Sequence, residues 1–177
     1  MQILRRAADR WRIPLLPGRR VDRWLGTLAW LRRQEPPRVV AGMLRTLTNS
    51  WITGRRMQQR AATCMMGCDA PDAIEHYACC RHINQVGSTD LWLQPLATED
   101  RLPGFLGLRH SKPAEHSQEV RRRAMLTAAA YKLHGWWRHY RGPPLTTEAM
   151  GRALRVQIRE LLAGTLAEDP LEAAAFV

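Results

Sequence analysis

The sequence predicts an all-α protein in which several helices are organised around a zinc knuckle of three cysteines and one histidine, with extended Pro/Gly connections. Three observations lead to this prediction. Apolar residues recur at helical spacing, and no pair of segments alternates as a β-hairpin would. All four cysteines lie between positions 64 and 80, together with a histidine. No apolar run approaches the roughly 18 residues that a membrane span needs, so we expect no membrane contact.

Proline and glycine separate the first predicted helices. A short basic helix over 2–12 ends before Pro14, and a second helix follows over 21–34. Pro37 suits a first helical turn, so the third helix begins there and should run to about residue 57. The apolar stripe of this third helix consists of Val40, Met43, Leu44, Leu47 and Trp51.

The second half of the chain alternates in the same way between loops and helices. Residues 61–72 are rich in Cys, Gly and Asp and predict a loop, and a short helix should follow over 73–82. Prolines and glycines make 98–114 a long connection. A long helix should span about 115–140, and a last one, capped by a threonine, about 147–166. The predicted parts of the chain are a basic N-terminal arm and helix (1–35), a helix plus zinc-knuckle module (36–97), a linker (98–114) and a C-terminal helical pair (115–177).

The charge of the chain is strongly unbalanced. Lys and Arg number 27 against 16 Asp and Glu, which gives a formal net charge of +11. The excess lies in residues 1–60 and 121–177, whereas residues 61–120 are net acidic. Such a balance favours a polyanionic partner, most often nucleic acid. A GC-rich genome would also enrich arginine over lysine, although it would not by itself explain the scarcity of carboxylates.

The cysteine cluster has the composition of a metal site. Cys64 and Cys68 flank a tight turn. After seven intervening residues, His76 and Cys80 lie four positions apart, on one face of the predicted short helix. Thiolate and imidazole are the ligands that zinc prefers. Cys79 lies three residues from the histidine and is an alternative fourth ligand. Buried free cysteines are the other interpretation, but four of them beside a histidine within seventeen residues favour a metal.

Four protein ligands would leave no open coordination position. A zinc ion, Zn²⁺, bound there is therefore expected to be structural. His82 is a weaker reserve ligand. Neither a Ser-His-Asp arrangement nor a Gly-rich phosphate loop is present, so no enzymatic activity and no small-molecule substrate are predicted.

Residues 36–82 resemble the C-terminal region of non-LTR retrotransposon polyproteins of the dinoflagellate type. In that family a helix of the form R-T-x-x-N-x-W-x-T-x-R-R leads into a zinc knuckle ending in I-E-H-Y-x-x-C. The matching helix residues are Arg45, Thr46, Asn49, Trp51, Thr53, Arg55 and Arg56, and the matching knuckle residues are Cys64, Cys68, Ile74, Glu75, His76, Tyr77 and Cys80. The H-x3-C spacing of the family favours Cys80 over Cys79 as the fourth ligand.

The resemblance implies an accessory role and no catalysis. The chain contains no Tyr-x-Asp-Asp polymerase motif, and its length leaves no room for an endonuclease domain. In the family, the tail helps to grip template RNA or target DNA. The expected function is therefore that of a retrotransposon-derived tail that binds nucleic acid.

Eight arginines are the candidate nucleic-acid contacts. Arg138 and Arg141 lie within Tyr131–Arg141, where aromatic and cationic side chains alternate as stacking and phosphate contacts require. Trp137 is expected to serve mainly as a core residue. The three consecutive arginines at 121–123 could equally form a solvated face of their helix. The candidates are Arg45, Arg55, Arg56, Arg60, Arg121, Arg122, Arg138 and Arg141.

Together these features predict a structural, zinc-binding, RNA-binding protein in a ribonucleoprotein such as an organellar ribosome. Its expected partners are RNA, most simply ribosomal RNA, and the neighbouring proteins of a large assembly. The Arg-rich N-terminus is compatible with a mitochondrial presequence or with an ordinary basic helix, and it makes the mitochondrion the expected location. The alternatives are a nuclear DNA- or RNA-binding fragment of a mobile element and a protein–protein adaptor whose acidic centre binds a basic partner.

Overall fold

The computed structural model describes residues 9–11, 19–59, 61–107, 117–140, 143 and 145–163. The all-α prediction is confirmed, because the described residues form helices and no strand, with one isolated bridge between Thr63 and Pro71. Of the predicted helix over 2–12, only residues 9–11 are described, and these are helical. The helices are α1 (Arg19–Gln34), α2 (Pro37–Leu47), α3 (Ile74–Cys79), α4 (Arg81–Leu91), α5 (Thr98–Phe105), α6 (Ser117–His139) and α7 (Thr147–Ala163).

The prediction that the third helix runs to residue 57 is wrong, since α2 ends at Leu47. Asn49 adopts a left-handed backbone conformation with φ of 55°. Its N–H donates to the carbonyl of Thr46, and the N–H of Ser50 donates to that of Arg45. This pair of bonds is a Schellman motif, in which asparagine takes the position usually held by glycine. The chain therefore turns before Trp51, which is nevertheless fully buried.

Part of the predicted linker 98–114 is also helical. Helix α5 covers Thr98–Phe105, with Glu99 and Asp100 in its first turn, where carboxylates interact favourably with the helix dipole. Phe105 is buried, and its carbonyl accepts a hydrogen bond from Thr127 of α6. Packing of this end on α6 thus outweighs the helix-breaking tendency of Pro103. Residues 108–114 lie outside the described part of the chain.

One hydrophobic core joins the predicted knuckle module to the C-terminal helical pair. Helices α2 and α6 make the most extensive contact, and α7 packs against α6 and α4. The core contains residues from each helix from α1 to α7, so the predicted parts 36–97 and 115–177 share one hydrophobic interior. Its large, fully buried side chains include Leu31, Leu47, Trp51, Ile74, Tyr77, Ile83, Leu133 and Leu154. Along the part of the chain that the structure describes, no helix is both long and apolar enough to cross a lipid bilayer.

Gly42 sets the distance between α2 and α6. A Cβ atom added at this position would lie 2.8 Å from Cβ and 2.9 Å from Cα of Ala128. Because the backbone of α6 cannot yield like a flexible side chain, the Gly42→Ala substitution should destabilise the fold by about 1–3 kcal/mol. Chemical denaturation of the metal-loaded protein measures this difference.

Gly26 of α1 provides the matched control, because a Cβ atom there would meet nothing within 4 Å. Gly26→Ala should stabilise the protein by about 0.5–1 kcal/mol through the lower entropy of its unfolded chain. If both substitutions changed the free energy of unfolding in the same direction, the close contact at Gly42 would not limit helix packing.

Candidate metal centre

A tight loop brings the first two thiols together. Cys64 donates its backbone N–H to the carbonyl of Ala70, and its own carbonyl accepts from Gly67. Gly67 has a φ of 78°, which a glycine adopts without steric cost. The Met66 amide also donates to the Cys64 sulfur at 3.4 Å. The turn therefore places the side chains of Cys64 and Cys68 on the same side of the loop.

The other two members of the group come from the following helices. His76 lies on α3, and Cys80 lies at the junction where α3 ends and α4 begins. The Cys80 sulfur is 4.0 Å from that of Cys64 and 3.6 Å from that of Cys68. One ligand atom of each of the four residues lies within 4.8 Å of the others. In a tetrahedral zinc site with Zn–S bonds of about 2.3 Å, two sulfurs lie about 3.8 Å apart. The four residues could therefore hold one metal ion.

The histidine supplies an independent test of this fit. The Nε2 atom of His76 is buried and has no hydrogen-bond partner among the described residues. A buried polar atom without a partner costs free energy, and native structures rarely keep one. Coordination of a metal would satisfy this nitrogen. The chemistry of the donor set, three sulfurs and one imidazole nitrogen, is also the one that zinc prefers.

The structure distinguishes between the two neighbouring cysteines. Cys80 is fully buried and belongs to the group, whereas Cys79 is exposed and lies outside it. His82 is also outside the group, and its Nε2 accepts a hydrogen bond from Arg81. A metal bound by Cys64, Cys68, His76 and Cys80 would have four protein ligands, which is typical of a structural site.

The thiols differ in how readily they lose a proton. The hydrogen bond from Cys64 lowers the pKa of Cys80 to about 5, and backbone N–H groups of Ile83 and His82 at the start of α4 act in the same direction. The same hydrogen bond and burial raise the pKa of Cys64. Burial is also the main cause of the raised pKa of Cys68. Metal binding must displace these protons, so the metal affinity should fall as the pH falls.

A buried carboxylate connects the loop that carries Cys64 and Cys68 (residues 61–72, called the metal loop below) to α6. Asp72 is 0% exposed. Its oxygens accept hydrogen bonds from the backbone N–H of Gly54 and the hydroxyl of Tyr77, both at 2.6 Å, and lie 3.0 Å from Nε2 of His134. No local sequence pattern predicts this network, because two of its partners, Gly54 and His134, lie 18 and 62 positions from Asp72.

The surroundings of Asp72 favour its ionised form. Burial by itself raises the pKa of this carboxyl group, but hydrogen bonds from His134, Tyr77 and the Gly54 amide together lower it below its usual value. Facing a carboxylate, His134 acts as the donor. The rings of Tyr77 and His134 also pack on Trp51, with centroids 5.3 and 5.1 Å from its ring. The metal loop is thus held against α6 by both polar and aromatic contacts.

The predicted nucleic-acid arginines fall into two groups, apart from Arg60 and Arg141, which lie outside the described residues. Three of them form ion pairs or hydrogen bonds with acidic side chains or with a backbone carbonyl. Arg121 pairs with the buried carboxylate of Glu35, Arg55 donates to Glu75 at 2.8 Å, and Arg56 donates to the carbonyl of Trp51. The other three lie over aromatic rings: Arg45 over Tyr131, Arg122 over Trp92 and Arg138 over Trp137. Two of these also form hydrogen bonds, since Arg45 donates to the hydroxyl of Tyr131 and Arg138 donates to the side-chain oxygen of Gln59 at 2.6 Å.

The described residues thus define an all-α protein with a group of three cysteines and one histidine that could hold a metal ion. The chain matches no protein-family model, no curated protein and no solved structure.

Proposed function

We propose that this chain is a structural, zinc-binding protein that binds single-stranded RNA. The observation that carries the proposal is the Arg122–Trp92 pair on the surface. Trp92 is 71% exposed, and the guanidinium of Arg122 lies 5.3 Å from the centroid of the Trp92 indole ring. Unpaired bases stack on aromatic rings and on arginine planes, and phosphates bind the guanidinium.

The backbone at Trp92 strengthens this interpretation. Trp92 ends α4 with φ 49° and ψ 38°, and the N–H of Leu93 donates to the carbonyl of Gly87. This is the left-handed position after a helix that glycine usually takes, and a bulky residue there is a steric outlier. The presence of a large, exposed aromatic ring at a backbone position that strains it favours a role for Trp92 in binding.

Charge and the other arginine–aromatic pairs support the same partner. Arg45 lies 5.6 Å from the centroid of Tyr131 and donates to its hydroxyl at 3.1 Å, so its guanidinium is held in place with no carboxylate partner among the described residues. The formal net charge of +11 supplies the long-range attraction to a polyanion. A metal with four protein ligands would serve to fix the loop between these surfaces.

Trp92→Gly tests the proposal without disturbing the core. The substitution should weaken binding of a fluorescein-labelled single-stranded RNA by about 1–3 kcal/mol, because one stacked base loses its platform. Stability should be kept or raised, since glycine tolerates the left-handed backbone. Fluorescence anisotropy of the zinc-loaded chain measures binding, and chemical denaturation measures stability.

Trp92→Phe is the matched control, because it keeps an aromatic ring at the same position and should keep most of the affinity. Binding of the unsubstituted chain should also weaken steeply with added salt. An RNA affinity that is equal in the glycine and phenylalanine variants would contradict the role of Trp92. Salt-insensitive binding to a basic protein, with no RNA affinity, would support the adaptor alternative.

We extend the proposal to a ribonucleoprotein such as a mitochondrial ribosome. A short, very basic, helical chain suits the gaps between RNA segments of such an assembly. Affinity purification should then show RNase-sensitive co-migration with ribosomal subunits. Association with chromatin would instead support the nuclear alternative, a nucleic-acid-binding fragment of a mobile element. The retrotransposon origin stays a prediction from the resemblance alone.

A further inference from the structure

We infer that a cavity between α4, α5 and α6 binds one nucleotide of the RNA strand, with its phosphate held by arginines and its base on an apolar floor. The inference rests on the proposed RNA-binding function and names a second contact site. The cavity has a volume of about 300 Å³, which is within the lower range of ligand pockets. It is separate from the metal group and from the Trp92 ring.

The floor of the cavity is apolar. Leu93, Phe105 and Leu126 line it, and all three are otherwise buried in the protein core. Leu96, at the edge of this floor, is partly buried. A nucleobase placed against these side chains would remove apolar surface from water on both sides.

One wall of the cavity is polar and comes from α4. Asn84 donates its side-chain N–H groups to the carbonyls of Ala78 and Cys80, which fixes the amide and leaves its oxygen as an acceptor. The hydroxyl of Ser88 donates to the carbonyl of Gln85, and the Gln85 amide lines the same wall. Fixed acceptors and an amide beside an apolar floor suit the polar edge of a base.

Three arginines complete the lining, and none of the described lining residues is acidic. Arg101 donates a hydrogen bond from Nε to the carbonyl of Leu96 at 3.3 Å, and this bond orients the two terminal nitrogens of its guanidinium. Arg123 is held by Glu119 at 2.7 Å and by the carbonyl of Gln94, so the positive charge available to a ligand comes mainly from Arg101 and Arg81. Guanidinium groups without a lining carboxylate favour a phosphate.

The first test compares two arginine substitutions in the zinc-loaded, full-length chain. Arg101→Gln removes a guanidinium from the cavity, and it should weaken binding of single-stranded RNA about tenfold. Arg159→Gln makes the same change of charge at an exposed position of α7 outside the cavity, and it should have a much smaller effect. Equal losses in the two variants would overturn the inference, because both would then report only the net charge.

The second test uses Cys79, which is exposed and lines the cavity. With zinc on the other three cysteines, Cys79 should be the thiol that reacts with iodoacetamide. Adenosine and uridine monophosphates, and the RNA itself, should slow this reaction in proportion to their occupancy of the cavity. Adenosine without a phosphate should not protect at the same concentration, and inorganic phosphate should protect less than the nucleotides.

The failures of the two proposals can be told apart. RNA binding without any protection of Cys79 would overturn the cavity site and leave the RNA-binding function intact. Protection by free nucleotides in a chain that binds no RNA would overturn the function, and the cavity would then be a site for a mononucleotide. Protection by inorganic phosphate equal to that by nucleotides would show an anion site with no base recognition and would also overturn the inference.

Discussion

Replacing Cys80 with serine is expected to abolish stoichiometric zinc binding and to unfold the centre of the chain. The sulfur of Cys80 lies 3.6 Å from that of Cys68 and 4.0 Å from that of Cys64. Structural zinc contributes about 10–16 kcal/mol to folding in zinc-finger peptides, which exceeds or equals the net stability of a typical domain. Elemental analysis of the purified protein measures the metal, and far-UV circular dichroism measures the helices that remain.

Cys79→Ser is the matched control for this experiment. Cys79 is the adjacent residue, it carries the same thiol, and it is exposed and outside the group. This variant should bind one zinc ion per chain and melt like the unsubstituted protein. Loss of zinc from the Cys79 variant, or full zinc occupancy in the Cys80 variant, would show that the wrong cysteine has been assigned.

The second large effect is expected at Asp72. In Asp72→Asn, an amide nitrogen replaces one carboxylate oxygen, although Gly54, Tyr77 and His134 all present donors to this side chain. A donor then faces a donor in a site that is 0% exposed. Replacing a buried carboxylate that accepts several hydrogen bonds leaves donors without their acceptor, and we expect a loss of about 1–3 kcal/mol for each donor left unpaired. Denaturant titration of the zinc-loaded protein measures it.

Asp69→Asn is the control for the Asp72 experiment, since Asp69 lies in the same loop but is exposed. Its substitution should change the free energy of unfolding by less than about 0.5 kcal/mol. Comparable losses at both positions would contradict a specific role for the buried network and would indicate a general need for negative charge in the loop.

Asp72 should also make the free energy of unfolding depend on pH in the acidic range. Its pKa is lower in the folded protein than the ordinary value of about 4. The group therefore stabilises the fold above the ordinary pKa, and this contribution is lost as the pH falls through the lower, folded value. Unfolding free energies measured between about pH 5 and pH 2 should fall more steeply in the unsubstituted protein than in Asp72→Asn. Any release of a bound metal would affect both proteins, so parallel curves would contradict this role.

Local patterns in the sequence predicted most of the framework. The helical periodicity and the proline and glycine positions gave α1, α6 and α7 nearly as they are, because those signals act within one element. The end of α2 depended on the left-handed conformation of Asn49, and α5 depended on packing of Phe105 against α6. Hydrophobic periodicity predicts neither feature, because the end of α2 is set by the backbone conformation of Asn49 and α5 is stabilised by contact with a distant helix.

The candidate metal site was predictable to the same extent. Spacing located Cys64, Cys68 and His76, but Cys79 and Cys80 are both within reach of a histidine on an ideal helix. The break between α3 and α4 falls at Cys80, and this break turns its sulfur toward the others. The Asp72 network was beyond sequence reasoning, because its members meet only after the chain has folded.

The separation of 62 positions between Asp72 and His134 has a consequence for how the molecule folds. A contact so distant in sequence forms late, because the intervening chain must first lose its freedom. The metal loop cannot reach its native geometry as an isolated finger, since its buried carboxylate would lack the hydrogen bond to His134 of α6. Tight metal binding and the docking of α6 should therefore occur as one cooperative step. A truncated chain that ends before residue 117 should bind a metal ion weakly.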